Sequence, residues 1–291
     1  MKAKTIGQKI LYLPLTKIVI GLIVCTGVIG FGQILIRKLL DLIVINKDVE
    51  NLINGICIAI FTVISYSVLY KIYEKRKITE FSIKNIGKNL FFGVVLGAVL
   101  QSLTILVIYL KSGYTVVSIN PIVFIIPSLT MAIFSAVFEE TLFRGIIFRI
   151  IEEKLGSYIA LFISALIFGT THLLNPNSSL IVGIGLVIQA GLLLAAAYIY
   201  SRNLWFPIAI HFAWNFTQVG IFGANVSGVE LSKTLITSKI EGAEWFTGGA
   251  FGPEGSIQAT VFCLIATIIL LILSHKKGNI IKPYWKKTTN R

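Results

Sequence analysis

Three short strings place polar and ionisable side chains inside apolar stretches of this chain. They are "EETLFR" from Glu139 to Arg144, "FGTTH" from Phe168 to His172, and "HFAWN" from His211 to Asn215. Each contains a pair one helical turn apart. Glu140 and Arg144 are i,i+4 with the acid nearer the N-terminus, the better orientation for an ion pair. Phe168 and His172, and His211 and Asn215, have the same spacing. Glu139 lies about 100° around a helix from Glu140, so it need not share Arg144. One glutamate is charge-balanced and the other is left for chemistry. A carboxylate in a partly dry pocket serves as general base towards water, and an imidazole beside it holds that water or binds a metal. A second imidazole with an amide N–H donor stabilises the oxyanion of a tetrahedral intermediate. These are the parts of an amide hydrolase that uses activated water and needs no serine or cysteine nucleophile.

The elements that must position these groups are membrane helices. Of 291 residues, 55% are hydrophobic and only 13% charged, with a mean hydropathy of +0.85; soluble domains carry about a quarter charged residues. A spanning helix needs about 20 mostly apolar residues. Eight stretches qualify: 18–36, 52–72, 90–110, 121–150, 157–174, 179–200, 204–222 and 257–274. The fold expected is all-α, a polytopic membrane bundle of about eight transmembrane helices. Pro127 suggests that the fourth begins with a kinked or separate piece. Lysines 2, 4, 9 and 17 precede an apolar run too long for a signal peptide, which reads as a retained first helix.

Charge supplies the orientation. With the N-terminus inside, the inner segments hold 20 Lys and Arg residues and the outer ones 6, the asymmetry of the positive-inside rule. Both termini are then cytoplasmic, and a plasma membrane is the expected site. The net charge of +13 is a topology signal that also touches anionic headgroups, so no nucleic-acid partner is expected. Cys25, Cys57 and Cys263 lie in apolar runs and form no CxxC pair. His275, beside Lys276 and Lys277, reads as interfacial. Arg149, Glu152, Glu153 and Lys154 read as a solvated hairpin tip.

Depth tests whether the motifs meet. Glu139 is sixteen residues before Leu155 and His172 sixteen after Gly156, so a hairpin there puts them level. His211 is nine residues past Arg202, and Glu139 ten before Arg149. If both arginines mark the inner interface, each group lies about 15 Å deep. Four regions follow: an N-terminal three-helix region at 1–117, a core at 118–222, an outer loop at 223–256, and a last helix with a basic tail at 257–291.

In order and context, EExxxR, FxxxH and HxxxN resemble the motifs of the CPBP family. That family comprises the type II CAAX prenyl endopeptidases and the bacterial Abi group linked to bacteriocin processing or immunity. "LGSYIALFISALIFGTTHL" and "SRNLWFPIAIHFAWNF" are similar to the family's strings around its second and third motifs. The resemblance implies an intramembrane endopeptidase acting on a membrane-associated, prenylated or precursor peptide. It assigns water activation to Glu139 with His172, and the oxyanion site to His211 and Asn215. Glu140 and Arg144 are assigned to architecture and Phe168 to packing near the site. The family's metal question stays open here: Glu139, His172 and His211 are the candidate ligands for a divalent metal such as zinc, and no HExxH is present. "EWFTGGAFGPEGS", Glu244 to Ser256, resembles an outer loop of some bacterial members, a lid or partner surface. Two other classes fit parts of the pattern: a non-proteolytic accessory or immunity protein of the same fold, and a proton-coupled transporter. No inverted repeat supports the transporter.

Overall fold

In the computed structural model, residues 6–286 are described; Lys2, Lys4, Lys287 and Arg291, counted above as inner charges, lie outside them. Seven helices are long and apolar enough to cross a membrane: α1 Pro14–Leu40, α2 Lys47–Tyr73, α3 Ile86–Leu110, α4 Ile122–Leu155, α5 Ser157–Leu174, α6 Leu180–Ser201 and, last in the chain, α8 Ile257–Lys276. Between them runs the eighth expected span, α7 Trp205–Asn215, continued by a wide-turned π segment at Phe216–Ile221. It is shorter than its neighbours. Nine of the eleven residues of α7 are buried, as a helix apolar all round must be when it sits at the centre of a bundle. The chain is an integral, all-α membrane protein with one small exception. Tyr114–Ile119 (β1) pairs antiparallel with Ile236–Ile240 (β2), Tyr114 opposite Ile240.

Local chemistry sets the helix ends. Pro14 lies in the first turn of α1, where its missing N–H costs nothing. Asn46 caps α2 by accepting from the Asp48 amide at 2.9 Å. Pro127 does not kink a long helix. A 3₁₀ turn at Ile122–Ile125 leads in, and Pro127 occupies the first turn of the regular helix.

Gly93 and Gly97 bring α3 against α7. A Cβ at Gly97 would lie 2.3 Å from the Ile210 carbonyl oxygen, and one at Gly93 2.8 Å from that of Phe206. Small residues four apart permit this close approach between membrane helices. Ile210 precedes His211, so the contact also sets the height of a motif residue. Gly97→Leu is expected to destabilise the protein by about 1–3 kcal/mol or more through overpacking. Thermal unfolding in detergent checks this; an unchanged midpoint contradicts the close approach.

At the end of the bundle where α1 begins and α8 ends, one expectation is corrected. Glu153 and Lys154 are exposed, but Arg149 and Glu152 are buried. Arg149 reaches Glu74 at 2.9 Å and Glu153 at 2.6 Å, while Arg202 grips Glu152 at 2.6 Å. Glu74 also binds Lys17 at 2.9 Å and Arg76 at 2.6 Å. These charges are satisfied across the bundle, not by water. The final segment docks on the same end: Ser157 N–H donates to the Ile281 carbonyl at 2.9 Å, and Asn279 Nδ2 donates to the Tyr200 carbonyl at 2.9 Å.

Candidate active site

The two glutamates close the first regular part of α4, and the next eight residues, Thr141–Phe148, wind as a π segment before regular helix resumes at Arg149. Asn215 likewise ends α7 just before its π segment, and α6 carries a third at Val187–Leu192. Wide turns re-aim side chains and backbone and recur at functional sites. Here the three lie on the helices that face the motifs.

Arg144 is fully buried. Its Nη1 donates to Glu140 Oε1 at 2.8 Å, and its Nη2 donates to the Ala190 and Gly191 carbonyls at 2.7 and 3.1 Å, within the α6 π segment. The guanidinium carbon also sits 4.7 Å from the centroid of the Phe168 ring, close enough for a cation–π contact. Phe168 in turn stacks on His172 at 4.4 Å and meets His211 edge-on at 6.5 Å. The phenylalanine of the second motif therefore links the arginine of the first to both histidines.

Glu140 does more than pair with Arg144. Its Oε1 also lies 3.0 Å from His211 Nδ1, a partner 71 positions away that helical spacing cannot reveal. A ring nitrogen facing a carboxylate acts as the donor, so Glu140 fixes the imidazole and leaves Nε2 as its free end.

His172 is fixed from the backbone. Its Nδ1 is 2.8 Å from the Phe168 carbonyl, in the last helical turn, where carbonyls lack helical partners. That nitrogen must carry the hydrogen, so in the neutral ring Nε2 bears the lone pair. Nε2 lies 3.8 Å from Glu139 Oε2. This is beyond a direct hydrogen bond and within the span one water bridges. Glu139 Oε2 is buried and makes no direct hydrogen bond among the described residues. Glu139 and His172 thus face each other, Glu140 and His211 are bonded, and Asn215 Nδ2 donates to Ser135 Oγ at 3.1 Å, one turn before Glu139.

Phe168, His172, His211 and Asn215 line a cavity of about 40 Å³, together with Ser227 and Glu254 from the 223–256 segment. That is room for about three waters at roughly 10–15 Å³ each. Glu139, Glu140 and Arg144 are not among the lining residues; Glu139 joins the site through His172. Sequence reasoning missed Ser135, Ser227 and Glu254. The cap to which Ser227 and Glu254 belong is tightly built. Gly252 has φ +120, and a Cβ there would fall 2.1 Å from the Asn225 carbonyl oxygen, so only glycine allows these turns to meet.

Zinc does not fit this donor set. Among the described residues no three His, Cys, Asp or Glu side chains converge as ligands. His211 Nδ1 is committed to Glu140 and His172 Nδ1 to a carbonyl, which leaves each ring only its Nε2 as a donor atom.

Residues 121–217 match the family model described as Rce1-like, type II CAAX prenyl endopeptidase. The matched stretch is about a third of the chain and holds all three motifs. No curated protein and no solved structure matches.

Proposed function

We propose that this chain, whose residues 121–217 match the Rce1-like type II CAAX prenyl endopeptidase model, hydrolyses a peptide bond by glutamate-activated water. The observation that carries the reading is the facing pair, Glu139 Oε2 and His172 Nε2, 3.8 Å apart. A water held between them has a carboxylate to take its proton and an imidazole lone pair to orient it. As its oxygen attacks the carbonyl carbon, the proton passes to Glu139. The developing oxyanion is met by His211 Nε2–H and by the Asn215 amide, which has a second N–H beyond the one given to Ser135. Glu140, at 3.0 Å from His211 Nδ1, stabilises the imidazolium that this donation requires. The tetrahedral intermediate then collapses as its nitrogen takes up a proton, and the amine leaves.

The substrate is a peptide or protein segment at the membrane. The 20-to-6 bias of basic residues supports a topology with both termini on the cytoplasmic side and the 223–256 segment outside. Because that segment lines the cavity, the scissile bond is reached from the outer half of the bilayer. An extracytoplasmic precursor or pheromone peptide fits this better than a cytosolic prenylated tail.

Two measurements test the reading. Peptide termini are profiled in membrane and secreted fractions of cells carrying wild type or Glu139→Gln at matched abundance. Termini seen only with the wild type name the substrate; identical profiles sink the proteolytic reading in favour of an accessory role. On that substrate, Asn215→Ala is expected to lower kcat by roughly 10²–10³-fold, as loss of one oxyanion donor does, with KM little changed. A variant that instead loses substrate capture contradicts the oxyanion role.

A further inference from the structure

Glu254 is a buried carboxyl group that none of the three motifs contains. It is 4% exposed, lies on the cap segment just before α8, and lines the same cavity as His172, His211 and Asn215. No other carboxyl side chain is among the lining residues. Its oxygens are surrounded by donors. The Ser227 amide and hydroxyl both donate to Oε1, the hydroxyl at 3.0 Å, and the Trp214 side chain is a further hydrogen-bond partner. Trp214 belongs to the "HFAWN" motif itself, between His211 and Asn215.

We propose that Glu254 is a further catalytic residue, the acid that protonates the amide nitrogen as the peptide bond breaks. This rests on the proteolytic reading above and adds the half of the reaction that Glu139 does not perform. An amine cannot leave a tetrahedral intermediate as an amide anion; its nitrogen must gain a proton as the C–N bond opens. Glu139, already holding the proton taken from water, stands behind His172, whereas Glu254 stands inside the cavity. Burial pushes the Glu254 carboxyl up from its ordinary range, against the Ser227 donors that pull it down. That direction favours the protonated form the step requires. Once the proton moves to nitrogen, Ser227 N–H, Ser227 O–H and the Trp214 indole stabilise the carboxylate left behind. The new amine is neutral on release from the carbon. Glu139 returns the water-derived proton to Glu254 through solvent, and the products are one carboxylic acid and one amine. The other titratable groups lining the cavity are His172, His211 and Cys263 on α8.

The test uses the full-length protein with the peptide named by terminus profiling and with its depsipeptide, in which an ester oxygen replaces the scissile amide nitrogen. An alkoxide leaves with far less help than an amide anion. Glu254→Gln keeps the size and hydrogen bonding of the acid but cannot transfer the proton. It is expected to lose roughly 10²-fold in kcat on the peptide and less than about tenfold on the ester, with Glu254→Asp recovering part of the peptide rate. Retained ester turnover also certifies a folded site. Equal losses on both substrates assign Glu254 a structural role and overturn the proposal, as does a wild-type peptide rate in Glu254→Gln. Glu139→Gln, in contrast, must lose both activities. If it and the wild type are alike in cleaving neither substrate, the proteolytic reading itself has failed, and this inference with it.

Discussion

Glu139→Gln is expected to abolish peptide hydrolysis, lowering kcat by about 10⁴-fold while the protein remains folded and abundant. The magnitude is at the upper end of what a general base supplies, because one carboxyl both holds the water and takes its proton. Stability should hardly move. Glu139 Oε2 makes no direct hydrogen bond among the described residues, its side chain is 22% exposed, and glutamine preserves its volume. Single-turnover cleavage and thermal unfolding in the same detergent separate the two quantities. Residual activity near wild type would move the base elsewhere, with Glu254 the first alternative.

The neighbouring arginine should behave in the opposite way. Arg144→Ala removes the partner of a fully buried carboxylate, leaves the Ala190 and Gly191 carbonyls without their donor, and opens a space against Phe168. Breaking one side of a buried ion pair costs about 3–5 kcal/mol, because the remaining charge stays out of water. A marginally stable protein of this kind has little more than that to lose. Arg144→Ala should therefore lower folded abundance in membranes far more than Glu139→Gln does. Quantitative immunoblotting of the two at equal transcript level decides it. Equal loss would mean that the adjacent glutamates do not divide into a chemical and a structural one.

What the sequence revealed followed from range. The apolar runs marked each of α1 to α8, since hydropathy is a local property and a bilayer imposes its length on it. Even so, α7 is shorter than a span, because a helix surrounded by protein need not match the hydrocarbon thickness. The Glu140–Arg144 pair was legible because both residues lie on one helix four apart. His211 as the second partner of Glu140 was not, nor was Ser135 beneath Asn215, since each contact joins different helices. Arg149 and Glu152 were misread for the same reason: counter-charges at Glu74 and Arg202 lie 75 and 50 positions away. Glu254 was hidden differently. It sits in a glycine-rich loop whose composition reads as surface, and only the close meeting of the Asn225 and Gly252 turns buries it. The rest of the site could be read because its chemistry repeats at helical spacing.

The two-stranded ribbon has a consequence in time. β1 is made early, and its partner β2 follows only after more than a hundred further residues, Tyr114 pairing with Ile240. At about 5–20 residues per second, every copy spends several seconds in synthesis with the histidines and glutamates already produced but the cap still missing. The strand that fastens the cap and the residue that faces the cavity, Glu254, arrive almost together, near the end of translation. Such long-range closures are the slow steps of folding. A chain whose last cavity wall depends on one of them has no finished cavity to offer its own nascent helices or its neighbours during insertion. Chains truncated before residue 236 should carry all three motifs and remain inert.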